Sequence, residues 1–338
     1  MAGNLGLEWP WNLAHRTHQE GPVLSYLQAV VIGVTQGVTE LFPISSLGHS
    51  VLIPALIGGS WKDLATQSST GDSGHSFYLA FIVALHVATA VALLIFFRSE
   101  WVRIIRGFLT SLRPSIAARR LVVRDDDERL AWLLVIATIP VGLTGVLLEH
   151  TFRTVFAKPL LAAVFLTVNG VVLLVGERLR RRADAGSAAE PRPATGSTVV
   201  QAPTRYGARP VLSLSYREAL GVGAYQVAAL FAGVSRSGVA MVGGLTRGLS
   251  HEDAARFSFL LATPVIFAAG VLKLPALAGP AGAHIHGQVL VGSLVAGTAA
   301  YASVRFLVRY FQTRTLTPFA IYSLLAGIGC VIRFSTVS

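Results

Sequence analysis

The chain is short of charge, of cysteine and of lysine, and each shortage closes a class of function. Only 13% of its 338 residues are Asp, Glu, Lys or Arg, where about 25% is usual in soluble domains. With 53% apolar residues and a mean hydropathy of +0.60, an ordinary soluble domain is excluded and a multispanning membrane protein is indicated. The single cysteine, Cys330, allows no intramolecular disulfide and gives no metal-ligand spacing. Lysine occurs only at positions 62, 158 and 273, so arginine carries the net charge of +11. Residues 1–22 contain His15, Arg16 and His18 but no cleavage-site pattern, and read as an N-terminal extension rather than a signal peptide.

The positive charge is placed as a topology signal. Segments 98–129, 177–217, 247–256 and 305–314 hold 21 of the 28 basic residues. If all four are cytoplasmic, the excess of arginine on the inner side is satisfied throughout. No basic groove interleaved with aromatics occurs, so nucleic acid is not expected as a partner.

Apolar stretches of spanning length lie at about 77–97, 130–149, 159–176, 257–275, 289–311 and 317–335. Two further apolar segments, 23–56 and 218–247, are interrupted by polar runs: Gln36 to His49, and Ala232 to Gly238. An offset of 190 positions carries Gln36 onto Gln226, Ser45 onto Ser235, Ser46 onto Arg236 and Gly48 onto Gly238. Each half therefore reads as a polar-tipped hairpin followed by three spans. Three is odd, so the second copy enters the membrane the other way up, as in transporters whose sites form between repeats. The expected fold is an all-α integral membrane protein: six transmembrane helices plus two re-entrant helix–loop–helix hairpins in an inverted-topology repeat. Its parts are the 1–22 extension, a first repeat over 23–177, a flexible cytoplasmic linker over 178–217 and a second repeat over 218–338. The Gly/Ser/Thr-rich 58–76 loop is placed outside.

Polar groups at membrane depth are expensive and mark candidate sites. Gln36 and Glu40 are spaced i, i+4 and project from one helical face. Glu40 is the one acid well inside an apolar stretch, so its carboxylate must be paired, protonated or bound to a cation. It reads either as a salt-bridge partner of Arg236 or, with the Gln36 amide oxygen, as a ligand of Mg²⁺ or Ca²⁺. Pro43 stops the incoming helix, and Ser45 and Ser46 open the next, where they cap free amides or flank an anion. His49 lies three residues beyond Ser46, in register to activate it as a nucleophile. Ser235, Arg236, Ser237 and Gly238 place hydroxyl and amide donors around a guanidinium suited to phosphate. One run brings the acid and imidazole and the other the cation, a division that fits phosphoryl transfer.

Weaker candidates surround these. His86, mid-span, is either a satisfied buried histidine or a partner of the site. Gln226 lacks an acid four residues on. His284 and His286 read as loop residues, Asp125 to Glu128 as a solvated face, and Phe319 and Tyr322 as packing or anchoring groups.

Together, Gln36-x-x-x-Glu40, Pro43-x-Ser45-Ser46-x-Gly48-His49 and Gly233-x-Ser235-Arg236-Ser237-Gly238 resemble the undecaprenyl-diphosphate phosphatases, membrane proteins linked to bacitracin resistance. The segments Leu85 to Ala90, Ala137 to Pro140, Ala255 to Pro264 and Leu316 to Tyr322 extend the likeness across about 23–335. Ala232 stands where a proline is usual, and Leu47 where a small serine or threonine is common. The resemblance implies hydrolysis of undecaprenyl diphosphate to the monophosphate carrier for cell-wall synthesis. It implies a multi-pass protein of the bacterial cell membrane, an outward-facing site and a divalent cation. By the same likeness Glu40 and Gln36 handle the metal, Ser46 is nucleophile or phosphate ligand with His49 as acid–base partner, and Ser235, Arg236 and Ser237 clamp the diphosphate. A polyprenyl-phosphate transporter of the same architecture is the alternative. A histidine-nucleophile lipid phosphatase fits less well, since after Arg236 only His251, Glu252 and Asp253 could complete it. The sequence leaves a homodimer open.

Overall fold

A computed structural model describes residues 24–62, 77–156, 158–189, 209–273 and 285–336. The 1–22 extension, most of the 58–76 loop, His284 and linker residues 190–208 lie outside these. Among the described residues the chain is helical, and its only β-type pairing is an isolated bridge between Arg209 and Leu249.

The two polar runs are the breaks of two helix–turn–helix units. Helix α1 (Tyr26–Thr39) is followed by α2 (Ser46–Ile57), of 14 and 12 residues. At about 1.5 Å per residue neither reaches across a hydrocarbon core of about 30 Å. The second unit is shorter: α7 (Tyr216–Tyr225), a 3₁₀ turn (Gln226–Leu230) and α8 (Arg236–Leu245). Each unit opens on a capping box, Ser25 with Gln28 and Ser215 with Glu218, which satisfies two otherwise free amides. These boxes lie at the same offset of 190 positions that relates Ser45 to Ser235.

The remaining helices are α3 (Phe77–Phe96), α4 (Arg98–Ala118), α5 (Asp126–Phe156), α6 (Pro159–Ala189), α9 (His251–Lys273), α10 (His286–Tyr310) and α11 (Thr317–Ser335). Four stretches are long and apolar enough to cross a membrane: Asp126–Leu147, Pro159–Ala185, His286–Tyr310 and Thr317–Ser335. A fifth is added if the α3–α4 pair, bent by 89°, counts as one. The sequence reading had six. Of the six, α3 turns sharply into α4, and α9 is not among these stretches.

Two regions placed on the cytoplasmic side by their charge contain helix. The arginine-rich 98–129 segment contains α4, whose Gly107 lies so close to the start of α5 that a Cβ there would meet the Asp127 carbonyl carbon at 2.7 Å. Within the expected 178–217 linker, α6 continues through Ala189, braced by pairs from Arg180 to Asp184 and from Arg181 to Glu177.

Packing is reciprocal between the two ends of the chain. Helix α1 lies on α10, α7 on α5, α3 on α9, and α6 on α11. The basic segments gather at one end of the bundle. There Arg129 donates to the Leu212 and Leu214 carbonyls, Arg256 pairs with Glu100, His251 meets Glu177, and Gln312 donates to Glu252. The hairpin breaks are rooted in the main core, where Leu41 and Ile44 join Leu133, Leu173, Met241, Phe257 and Phe259. Between helices in lipid such packing gains van der Waals contact rather than escape from water, so the polar tips rest on a close-packed apolar frame.

Candidate active site

The two breaks meet. Ser45, the N-cap of α2, accepts through Oγ from Gly48 N of its own helix and from Gly233 N of the other hairpin, both at 3.2 Å. Approach is close enough that a Cβ on Gly48 would lie 2.9 Å from Gly233 Cα, and Gly233 holds φ at +111°. Ser45 itself sits at φ +72°, a conformation costly for a residue with a Cβ and held here by its cap bonds. Ser235 repeats the device on α8, accepting from Gly238 N at 3.2 Å.

Glu40 is the hub. Its Oε2 accepts from Gln36 Nε2 at 3.0 Å and from the Ser46 hydroxyl at 2.5 Å, and lies 3.3 Å from His86 Nε2. Its Oε1 is 3.9 Å from Arg236 Nη1, an ion-pair distance too long for a hydrogen bond. The i, i+4 spacing of Gln36 and Glu40 thus delivers the shared face it predicted, with α1 ending just where the acid is presented. Both sequence readings of Glu40 and Arg236 start from this pair, which is formed but loose.

Two buried polar atoms at this hub lack a protein hydrogen-bond partner: Gln36 Oε1 and Arg236 Nη1. Buried groups are normally satisfied, so such orphans ask for an explanation. An acceptor oxygen suits a cation, and a guanidinium nitrogen suits an anion. Glu40 side-chain exposure is 4% whereas Arg236 and His86 reach 25% and 19%, so the cluster opens on their side. No group of three or more His, Cys, Asp or Glu residues able to hold a metal occurs among the described residues. Glu40 with the orphaned Gln36 oxygen nevertheless makes a two-oxygen set, the number from which a hard ion completes its shell with phosphate and water.

His49 is placed differently from its spacing. Its Nδ1 lies 2.7 Å from the Ser45 carbonyl and its Nε2 2.8 Å from the Tyr322 hydroxyl. A carbonyl only accepts, so Nδ1 carries the proton and, in the neutral ring, Nε2 accepts from Tyr322. Both nitrogens are committed, while the Ser46 hydroxyl turns to the carboxylate. Three-residue spacing sets a helical face but not a rotamer, and the carboxylate is the stronger acceptor. His86, left open by the sequence, is the histidine that joins Glu40; its Nδ1 is held by the Ile82 carbonyl at 2.8 Å.

The Ser235 and Ser237 hydroxyls lie 3.0 Å apart, and Ser237 also reaches the Phe42 carbonyl at 3.4 Å. With Gly238 they build the seam between the tips, and Arg236 alone of this run projects to Glu40. Sequence reasoning missed Asn169, Ser258 and the Tyr322 contact. Ser258 donates to the Ser237 carbonyl at 3.1 Å. Asn169 had left a signal, an amide in the middle of an apolar span. Gln226 is buried and donates to the Ala137 carbonyl at 3.5 Å. Its Oε1, like that of Gln36, has no hydrogen-bond partner.

A hydroxyl held on a carboxylate, facing a guanidinium with a free nitrogen, is equipped to transfer a phosphoryl group. Comparison with known proteins agrees. The family model for the bacitracin resistance protein BacA matches residues 29–329. Undecaprenyl-diphosphatase 2 of Frankia alni is 59% identical over 344 residues, covering 92% of this chain and 98% of that protein. Undecaprenyl-diphosphatase of Mycolicibacterium paratuberculosis is 56% identical over 305 residues, covering 90% and 95%. A Burkholderia lata protein also named undecaprenyl-diphosphatase 2 is 42% identical over 306 residues, covering 89% and 94%. With a family match over most of its length and relatives this similar over nearly their whole chains, this protein belongs to the bacitracin resistance protein BacA family.

Proposed function

We propose that this chain is a membrane hydrolase that converts undecaprenyl diphosphate to undecaprenyl phosphate and inorganic phosphate. The observation that carries the reading is the convergence of Ser46, Glu40 and Arg236 from two separate hairpins. Glu40 takes the Ser46 proton as the hydroxyl oxygen attacks the terminal phosphorus. The bridging P–O bond breaks, undecaprenyl phosphate leaves, and water then releases phosphate from Ser46. Arg236 neutralises charge on the transferring group through its free Nη1. His86, whose Nε2 lies 3.3 Å from the same Glu40 Oε2, helps hold the carboxylate in place. His49 braces the Ser45 turn in place of the base role that spacing gave it, while Ser45, Ser235, Ser237 and Gly238 shape the substrate-binding seam.

Glu40 and Gln36 are the residues that would hold a divalent cation, Mg²⁺ or Ca²⁺, and the orphaned Gln36 oxygen supports that reading. Such an ion would supply charge neutralisation on the diphosphate. Direct titration of the metal-stripped protein should show one site that Gln36→Ala weakens without unfolding the protein.

The membrane arrangement we propose has six spans and two re-entrant hairpins in an inverted repeat, with halves over 23–177 and 218–338. Three features support it: the reciprocal helix packing, the paired capping boxes at a common offset, and the 23 residues of α9, about 34 Å at 1.5 Å per residue. The gathering of arginines at one end supports a cytoplasmic location for that end in a bacterial cell membrane, and with it a hairpin site that faces the outer side.

Phosphate release from undecaprenyl diphosphate by purified, detergent-solubilised protein tests the function. Turnover without any gradient is expected, and a pure transporter would give none.

A further inference from the structure

Asn169 lies in the middle of α6, is fully buried, and belongs to neither polar run. Its Nδ2 donates to the Pro43 carbonyl at 3.0 Å and to the Ser323 hydroxyl at 3.2 Å. Its Oδ1 accepts from Ser235 N at 2.9 Å. One side chain therefore holds the turn that precedes Ser46, the residue that precedes Arg236, and helix α11. Each of its hydrogen-bonding groups is used. Leucine would fill much the same space in this apolar span without a polar group to bury, so packing alone does not account for an amide here.

Geometry explains what the bonds accomplish. Arg236 Nη1 stands 3.9 Å from Glu40 Oε1, a separation that depends on how the two tips are aligned. The tips touch directly at Ser45 and Gly233 and, more weakly, at Ser237 and the Phe42 carbonyl. The Asn169 bonds to Pro43 and Ser235 add an anchor outside both tips, on the helix that flanks them. Without them the Pro43 carbonyl and Ser235 amide lose their partner, and the arginine can swing relative to the carboxylate. A shift of about 1 Å in such a site costs on the order of 10²-fold in rate.

We infer that Asn169 is a positioning residue that sets the register of the two hairpin tips, so that the Arg236 clamp faces the Ser46–Glu40 pair. The inference rests on the phosphatase reading above. It concerns alignment during the chemical step, so its loss should lower kcat rather than weaken substrate binding.

The test is phosphate release from undecaprenyl diphosphate by the full chain in detergent, measured with thermal unfolding of the same samples. Asn169→Ala should lower kcat at least about tenfold, with KM within about threefold. Asn169→Ser, which keeps a donor and an acceptor in less volume, should lose less. Gly327→Ala is the stability control. Its Cβ would press on Thr167 in the same α6–α11 seam, at 2.6 Å from the Thr167 amide nitrogen, and it should keep kcat within about threefold. In an Arg236→Lys background, where the fork is already gone, Asn169→Ala should cost less than about threefold. If Asn169→Ala fails to fold, Asn169→Ser and Asn169→Leu carry the same comparison. A folded Asn169 variant with normal kcat overturns the inference, as does the same fold loss in the Arg236→Lys background. So does an equal loss in Gly327→Ala at equal destabilisation. The phosphatase reading fails separately, if the unmodified chain releases no phosphate.

Discussion

Replacing Glu40 by glutamine keeps the side chain's size but removes its charge and its basicity, at the point where four polar groups converge. The amide oxygen can still accept from the Ser46 hydroxyl, now 2.5 Å from Oε2, so the serine stays in place but is no longer deprotonated. General-base assistance is worth about 10²–10⁴-fold. The bond is direct and no other carboxylate among the described residues bonds to Ser46, so a fall in kcat of about 10³-fold is expected, equivalent to about 4 kcal/mol. Removing one partner of a fully buried ion pair costs about 3–5 kcal/mol of stability. Arg236 and His86 are partly open, at 25% and 19% exposure, which brings the expected cost to about 2 kcal/mol. A shift of that size lowers the thermal midpoint by several degrees and leaves the protein folded at assay temperature. The assay is phosphate release at saturating undecaprenyl diphosphate, on protein whose unfolding curve is recorded in parallel. A folded Glu40→Gln protein within tenfold of normal kcat would refute the assignment of Glu40 as base.

Three further outcomes follow from neighbouring contacts. His86→Ala should lower kcat about 10²-fold, while His86→Gln, whose amide can still donate to Glu40, should lose only about tenfold; equal losses would show that the contact is not used. His49→Ala should cost about tenfold and Tyr322→Phe about threefold, because these side chains brace the Ser45 turn; a loss in His49→Ala as large as in Glu40→Gln would restore histidine as the Ser46 base. Outside the membrane, the Arg209 guanidinium and the Ser215 backbone hold the Glu218 carboxyl down to about 2 from its ordinary 4.5. A depressed carboxylate stabilises the fold above its unfolded value, and that contribution is lost as pH falls from about 4.5 towards 2. Arg209→Met should therefore flatten the fall in thermal midpoint across that window, read by unfolding in buffers of pH 2–6; an unchanged slope would contradict the assignment.

How much of this was readable in the chain varies with the kind of contact involved. Gln36 and Glu40 were legible because helical spacing fixes which side chains share a face, and the structure adds their bond at 3.0 Å. The offset of 190 positions was visible in the motifs, and the capping boxes at Ser25 and Ser215 extend it. His49 points away from the Ser46 hydroxyl because register gives the face of a helix but not the rotamer, which the Ser45 carbonyl and Tyr322 decide. Tyr322 and Asn169 could not be placed by spacing at all, since their partners lie between 66 and 273 positions away. Helix α4 was hidden by its arginines, which read as loop until the bend shows them lying across the end of the bundle.

The central claim is that two hairpins make one site, with Ser46 attacking from one and Arg236 stabilising from the other. Phosphate release by Ser46→Ala, Arg236→Ala and the double variant tests it most directly. If the residues act in one step, the double variant should be about as slow as the slower single one. Losses that multiply in the double variant, or a folded Ser46→Ala protein with near-normal turnover, would contradict the account.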